Sequence, residues 1–356
     1  MQLKPLAIMS VLLLAGLLYM LSPGSSEASI PLAEKSGEII TPPPPSGTFG
    51  PWASDPETLV GIQQALKHGR AVVISNALKP TLARGIAAEL KAAVRRRKVW
   101  EVGGTEQEDE HIPAETFDAA PNKQCASVHA FSKTGFKFRT HRWRIEEPRN
   151  RAKAPSLMET IDNLQSSVMR SWIREFLGRV LVPLPVPSFL PNVFWFRGDD
   201  YFGMHNDDVG SQQHGVQRIL SFTFYPGPGG QDGNPASWDA KWGGNLVWCR
   251  TACNQTSKAS KAPSTVTEPA AFAPEANTLV LFRVDDCTHH FVSRVNQTKI
   301  MAKRAPRLSV QGWWEMEVPN TRKARSRWRK DFYRHTSILP PLRIAAIQSD
   351  SDHNEL

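Results

Sequence analysis

The tripeptide His205-Asn206-Asp207 sets an imidazole and a carboxylate two residues apart. In a β-strand, residues i and i+2 share a face, so both side chains emerge toward one point. A third donor from elsewhere in the chain would complete a metal site, and His289-His290 in a later apolar run offers two candidates. Two nitrogens and one carboxylate leave open positions on a ferrous ion, the ligand set of non-haem iron oxygenases. Asp208, directly after Asp207, is a competing carboxylate, but strand alternation favours Asp207. Chance supplies an H-x-D tripeptide often, so its context has to carry the reading.

That context is a series of short β-like runs after Pro191: Val193 to Arg197, Tyr201 to Asn206, Val216 to Tyr225, Gly244 to Cys249, Asn277 to Val284, His289 to Val295 and Arg307 to Trp314. In Leu220-Ser221-Phe222-Thr223-Phe224, apolar and hydroxylated residues alternate, as expected of a strand with one buried face. Gly/Pro-rich turns such as Tyr225-Pro226-Gly227-Pro228-Gly229-Gly230 punctuate the series. Upstream the pattern is mostly helical. Val60 to His68 reads as a short helix, Arg70 to Leu78 as a strand, and Pro80 to Lys98 as a helix with proline in its first turn. Residues 101 to 124 read as an acidic loop, and Cys125 to Ile145 as mixed with some strand character. Ser156 to Val180 is the clearest helix, with Leu157, Ile161, Leu164, Val168, Trp172 and Phe176 at three- and four-residue steps. Helices first and strands afterwards imply an α+β fold, a double-stranded β-helix (jelly-roll) core carried by N-terminal supporting helices.

The order of the blocks is more specific than any one of them. After the tripeptide come Arg218-Ile219-Leu220-Ser221-Phe222-Thr223-Phe224-Tyr225, Trp242-Gly243-Gly244-Asn245-Leu246 and Pro274-Glu275-Ala276-Asn277-Thr278-Leu279-Val280-Leu281-Phe282. Then follow His290-Phe291-Val292-Ser293-Arg294-Val295 and Arg307-Leu308-Ser309-Val310-Gln311-Gly312-Trp313-Trp314. From Val193 to Trp314 this resembles the prolyl 4-hydroxylase-like branch of the 2-oxoglutarate/Fe(II)-dependent dioxygenases. The resemblance implies His205, Asp207 and His290 as iron ligands, with His289 on the opposite face. It implies that Arg307, with Ser309 beside it, grips the distal carboxylate of 2-oxoglutarate, which a guanidinium does through two parallel charge-assisted hydrogen bonds. Tyr201 is a further candidate for that co-substrate, with Phe202 in the competing register. Residues 296 to 304 lengthen the stretch before Arg307, which keeps Lys303 and Arg304 as alternative carboxylate partners. The implied reaction couples oxidative decarboxylation of 2-oxoglutarate by O2 to hydroxylation of a substrate, with ascorbate keeping the iron reduced. The implied substrate is a protein or peptide, proline-containing. Lysyl or other side-chain hydroxylation, and a non-catalytic jelly-roll binding protein, are the alternatives. Trp195, Trp238 and Trp242 are read either as exposed platforms for a proline-rich peptide or as core and loop anchors.

Both ends of the chain address a compartment. Lys4 precedes an apolar run from Leu6 to Leu21 that ends in small residues up to Ala28, the layout of a signal peptide or signal anchor over 1–28. Residues 29–57 read as a proline-rich linker around Thr41-Pro42-Pro43-Pro44-Pro45, 58–190 as the support region and 191–318 as the dioxygenase core. Residues 319–356 form a basic tail, partly disordered, ending in His353-Asn354-Glu355-Leu356, which is close to an endoplasmic-reticulum retrieval signal. Together these predict the endoplasmic reticulum lumen, with membrane contact only through an uncleaved N-terminal anchor. Four cysteines suit an oxidising compartment, and Cys249 and Cys253 are close enough to pair across a turn. The net charge of +9 in 356 residues is spread along the chain, as on a solvated basic face. No nucleic-acid partner is expected, because a lumenal address opposes nucleic-acid demethylation.

Overall fold

A computed structural model describes residues 47–104, 111–119, 121–132, 136–143, 145, 147–176, 191–207, 216–227, 238–250, 270–284, 288–298, 301–317 and 341–345. All lie within one unit, Ile40–Leu356. Twelve strands form a single curled sheet: β1 (Val72–Ser75), β2 (Trp100–Gly104), β3 (Phe138–Trp143), β4 (Asn192–Phe196), β5 (Tyr201–His205), β6 (Val216–Tyr225), β7 (Leu246–Arg250), β8 (Ala270–Phe272), β9 (Thr278–Arg283), β10 (Thr288–Val292), β11 (Arg307–Glu317) and β12 (Leu342–Ile344). Their order is β12-β1-β9-β6-β11-β4-β3-β5-β10-β7-β8, with β2 paired to β3 off this path. Every pairing is antiparallel except β1 with β12.

Curling puts the inner faces of two strand groups against each other. Phe194, Phe196, Tyr225, Val280 and Phe282 from β4, β6 and β9 share one buried cluster with Phe202, Leu246, Trp248 and Val292 from β5, β7 and β10. The expected jelly-roll-type core with flanking helices is therefore present. The outer faces are covered by helices. Helices α1 (Pro56–Lys67), α2 (Pro80–Arg95), α3 (Pro121–Ser132), α4 (Pro155–Gln165) and α5 (Ser167–Phe176) divide that work. α1, α2, α4 and α5 pack on Leu220, Phe222, Phe224, Leu279, Leu281, Leu308 and Val310. α3 covers the other outer face, where Cys125 and Val128 meet Tyr201, Met204, Val247 and Phe291.

Local signals set the helix starts. Asp55 caps α1 by accepting from the Thr58 backbone N–H at 3.1 Å, with Pro56 in the first turn. α4 begins at Pro155 and borrows its cap from α2, whose Glu89 carboxylate accepts from Ser156 N (2.8 Å) and Leu157 N (3.0 Å). Gly85 allows that crossing, since a Cβ there would lie 2.4 Å from Ser156 Oγ.

Several expectations change. The 101–124 stretch contains β2 and part of α3 as well as loop, and Cys125 to Ile145 is helix followed by strand. The long helix expected from Ser156 is two helices, broken where Ser166 turns to ψ 152°. The hydroxylated face of β6 is buried too, with Ser221 3% and Thr223 4% exposed, because it lines the interior rather than solvent. The C-terminal tail contributes β12 to the sheet edge. Trp195 and Trp238 are core and anchor residues, 3% and 5% exposed, not platforms. Cys249 pairs with Cys125 rather than with Cys253, and Cys253 lies outside the described residues. The N-terminal apolar run and the His353–Leu356 signal also lie outside them. Among the described residues no helix is long and apolar enough to cross a membrane.

The disulfide ties α3 to β7 across a sequence separation of 124 residues. Closing a loop that long restricts the unfolded chain strongly, so the Cys125→Ala/Cys249→Ala double variant is expected to lose about 3–5 kcal/mol of stability. A denaturant titration of the double variant beside the wild type, each without reductant, checks this. Coincident midpoints would contradict it.

Candidate metal centre

β5 and β10 are sheet neighbours, and His205 pairs directly with His290. The next pair is Val292 with Phe202, so β5 carries one extra residue across this interval. That bulge breaks simple alternation. Phe202 and His205, three residues apart, both reach the interior, while Tyr201 and Met204 join the outer cluster. Gly203 sits in the bulge because Lys137 O approaches it: a Cβ would lie 2.4 Å from that carbonyl, which accepts from Gly203 N at 2.7 Å. On β10, His290 faces inward and His289 outward, where its ring meets His129 of α3 at 6.3 Å.

One donor atom from each of His205, Asp207 and His290 lies within 4.8 Å of the others. His205 Nε2 is 3.7 Å from one Asp207 oxygen, and His290 Nε2 is 3.8 Å from the other. Bonds of about 2.1 Å to one metal allow donors roughly 3–4 Å apart, so the set fits a single ion. The backbone fixes the tautomers. His205 Nδ1 donates to Gly203 O at 2.9 Å and His290 Nδ1 to Thr288 O at 3.1 Å, leaving each Nε2 lone pair for a metal. Burial, reinforced by His290, lowers the His205 pKa to about 4, so this imidazole is neutral at pH 7. Burial works to raise Asp207, but His290, His205, a hydrogen bond from Trp313 and Arg218 outweigh it and hold the carboxyl below its usual value. The structure thus brings His205, Asp207 and His290 together. Asp208 lies outside the described residues.

Behind Asp207 stands a support built on β6 and β11. The Arg218 guanidinium lies 3.8 Å from the Trp313 ring centroid, with its Nε 3.6 Å from Glu315 Oε1. Removing the indole N–H while keeping an aromatic ring under Arg218 isolates one interaction. Trp313→Phe is therefore expected to weaken Mn(II) binding by roughly 10–100-fold with the fold intact. Calorimetric titration with Mn(II) measures this, and an unchanged affinity would remove Trp313 from the support.

A second polar group is buried deeper in the interior. Arg307 is fully buried; its Nε donates to Gly244 O at 3.0 Å and its Nη1 to Ser309 Oγ at 3.0 Å. Gly243 and Gly244 take φ values of 62° and 69°, and a Cβ on Gly244 would lie 3.2 Å from Arg307 Cγ, so the W-G-G turn both needs glycine and admits the arginine. The guanidinium lies over Phe196 at 4.2 Å, Phe196 contacts Phe202, and Phe202 contacts His205, which places Arg307 and the metal ligands along one aromatic wall. Among the described residues no carboxylate pairs with Arg307, and its Nη2 has no hydrogen-bond partner. Burial lowers the Arg307 pKa, partly offset by Tyr225, and raises that of Tyr225. The Tyr225 hydroxyl is buried beside the guanidinium, whose centre lies 5.3 Å from its ring centroid; the two interact, but outside good hydrogen-bond geometry, so each keeps a polar atom incompletely satisfied. Two incompletely satisfied donors side by side in the interior suit a carboxylate ligand.

Lys303 and Arg304 are exposed on a short helical turn and do not compete with Arg307 for that place. Tyr201 is not brought to the triad. Its hydroxyl accepts from Ile112 N at 3.0 Å and meets His111 Nδ1 at 3.0 Å on the outer face. The interior hydroxyl that sequence reasoning missed is Tyr225. The alternation of β6 does carry the signal, since Ser221, Thr223 and Tyr225 share a face.

A curled sheet holding two histidines and one carboxylate presents the 2-His-1-carboxylate donor set of non-haem iron centres. Residues 192–315 match the sequence model of the 2OG-Fe(II) oxygenase superfamily. No curated protein matches the chain. Among solved structures, a prolyl-4-hydroxylase from Pseudomonas putida is 16% identical with a TM-score of 0.43, the match covering 73% of this chain and 100% of that one. A prolyl hydroxylase from Trichoplax adhaerens, in complex with a hypoxia inducible factor oxygen degradation domain peptide fragment, is 15% identical with a TM-score of 0.43, covering 76% and 92%. Prolyl 4-hydroxylases from Phytophthora capsici give 14% identity and a TM-score of 0.41, covering 80% and 76%. Likeness at this level identifies neither a substrate nor a partner.

Proposed function

We propose that this Fe(II)/2-oxoglutarate-dependent dioxygenase hydroxylates peptidyl proline in the lumen of the endoplasmic reticulum, with ascorbate sustaining the ferrous state. The observation that carries the reading is the pairing of two sites along one aromatic wall: three preorganised metal donors, and a buried guanidinium and phenol with donors to spare. Iron, when bound, supplies oxygen activation coupled to 2-oxoglutarate decarboxylation. The protein's own part is positional. His205, Asp207 and His290 hold the metal; Arg307 and Tyr225 receive the distal carboxylate, with Ser309 holding Nη1 of the guanidinium; the packed rings of Phe196, Phe202 and Phe282 exclude water.

The resemblance of the sequence blocks to the prolyl 4-hydroxylase-like branch supports a prolyl substrate. The Cys125–Cys249 disulfide, the N-terminal apolar run and the terminal tetrapeptide support the lumen. The test is mass spectrometry of proline-containing peptides incubated with Fe(II), 2-oxoglutarate and ascorbate. Proline residues heavier by one oxygen are expected with the wild type and not with His205→Ala. Equal additions from both proteins would sink the proposal.

A further inference from the structure

Five large apolar side chains are exposed among the described residues, and one of them touches a metal ligand. Phe136 is 46% exposed, just ahead of β3. Its ring centroid lies 5.0 Å from Phe138 at an interplanar angle of 20° and 5.6 Å from Phe202 at 17°. The same ring stands 4.9 Å from the His205 imidazole. Phe136 is thus offset-stacked on both rings, which are tilted 32° to each other, in a cluster anchored in the interior by Phe202 and open to solvent at Phe136. An exposed aromatic is ordinary on a surface. One held in place by two others beside a metal ligand is a preformed seat, because the area it leaves exposed is rigid.

We infer that Phe136 is the platform for the side chain to be oxidised, and that it selects a neutral, saturated ring, the prolyl ring of an extended peptide, over a charged side chain. The inference rests on the reading above and deepens it. Aromatic faces carry negative quadrupole charge, so they receive the C–H groups of a saturated ring and repel a carboxylate. An ammonium would also be drawn to such a face. Here, however, Lys137 lies between Phe136 and Phe138 in the chain, and its positive charge disfavours a cationic side chain nearby. Phe136 lies outside residues 192–315, so this determinant belongs to the N-terminal part of the chain rather than to the superfamily core.

The test uses the full chain loaded with Mn(II) and 2-oxoglutarate, and fluorescein-labelled peptides identical except for a central proline, lysine or aspartate, with binding read by anisotropy. Wild type is expected to prefer the prolyl peptide by about tenfold or more. Phe136→Ala should erase that preference and Phe136→Tyr should keep it, while Mn(II) affinity stays unchanged in both. Val168→Ala, which removes another exposed apolar side chain, should leave all three affinities alone. Retention of the preference in Phe136→Ala, or its absence in wild type, would overturn the platform. Phe136-dependent binding without any hydroxylated product would uphold the platform and remove the dioxygenase reading. Product formation indifferent to Phe136 would do the reverse.

Discussion

Asp207→Ala is expected to abolish turnover and to weaken Mn(II) binding by well over the roughly 100-fold ceiling typical of an outer-layer change such as Trp313→Phe. Asp207 is the anionic member of the donor set, and removing it leaves two imidazoles facing a dication in a buried site with no negative charge to offset it. The triad also acts as a unit. Asp207 approaches both Nε2 atoms, at 3.7 and 3.8 Å, and its low pKa owes most to His290 and then to His205. Losses within such a unit do not add. The His205→Ala/Asp207→Ala double variant should therefore be no less active than either single one. Succinate release from 2-oxoglutarate with and without peptide, alongside the Mn(II) titration, reads both effects. Near-normal succinate release by Asp207→Ala would disqualify the triad as the iron site and leave only a shell with the right shape.

The chemistry was more legible in the sequence than the geometry that delivers it. His205, Asp207 and Arg307 stand in runs whose residue types demand explanation, and the order of those runs narrows the explanation. The β5 bulge does not show in this way. A one-residue insertion in a ladder is settled by the facing strand, here β10, and by the approach of Lys137 O to Gly203, both distant in sequence. Strict alternation groups Tyr201 with His205, whereas the bulge substitutes Phe202. α3 was missed for a related reason. Its apolar side chains, mostly small, form no clear stripe, and Cys125 and Val128 are buried by tertiary contact and a disulfide. β12 is three residues long and exists only as a partner for β1. Burial of the Ser221–Thr223 face required knowing that the sheet curls upon itself, since a polar face reads as solvated until something is known to cover it.

Arg307→Met should raise the KM for 2-oxoglutarate by about 100-fold or more without lowering the thermal midpoint of the ligand-free protein. The two halves have one cause. A fully buried guanidinium with no carboxylate partner among the described residues is a liability to the empty fold, and burial lowers its pKa accordingly. Its hydrogen bonds to Gly244 O and Ser309 Oγ, and its stacking on Phe196, return part of that cost. A flexible apolar chain of similar length fills the same space and removes the charge. With the co-substrate bound the balance reverses. Charge-assisted hydrogen bonds contribute about 1.5–3 kcal/mol each, so losing two costs at least about 3 kcal/mol, or two orders of magnitude in affinity. Wild type should consequently show a midpoint that rises with added 2-oxoglutarate, and Arg307→Met a midpoint that does not. Arg307→Lys keeps the charge but not the planar fork, and should fall between them. A variant that binds 2-oxoglutarate normally would move the carboxylate site elsewhere. A variant whose ligand-free form melts far below wild type would make Arg307 a structural residue first, with its unpartnered Nη2 a consequence of packing rather than of ligand capture.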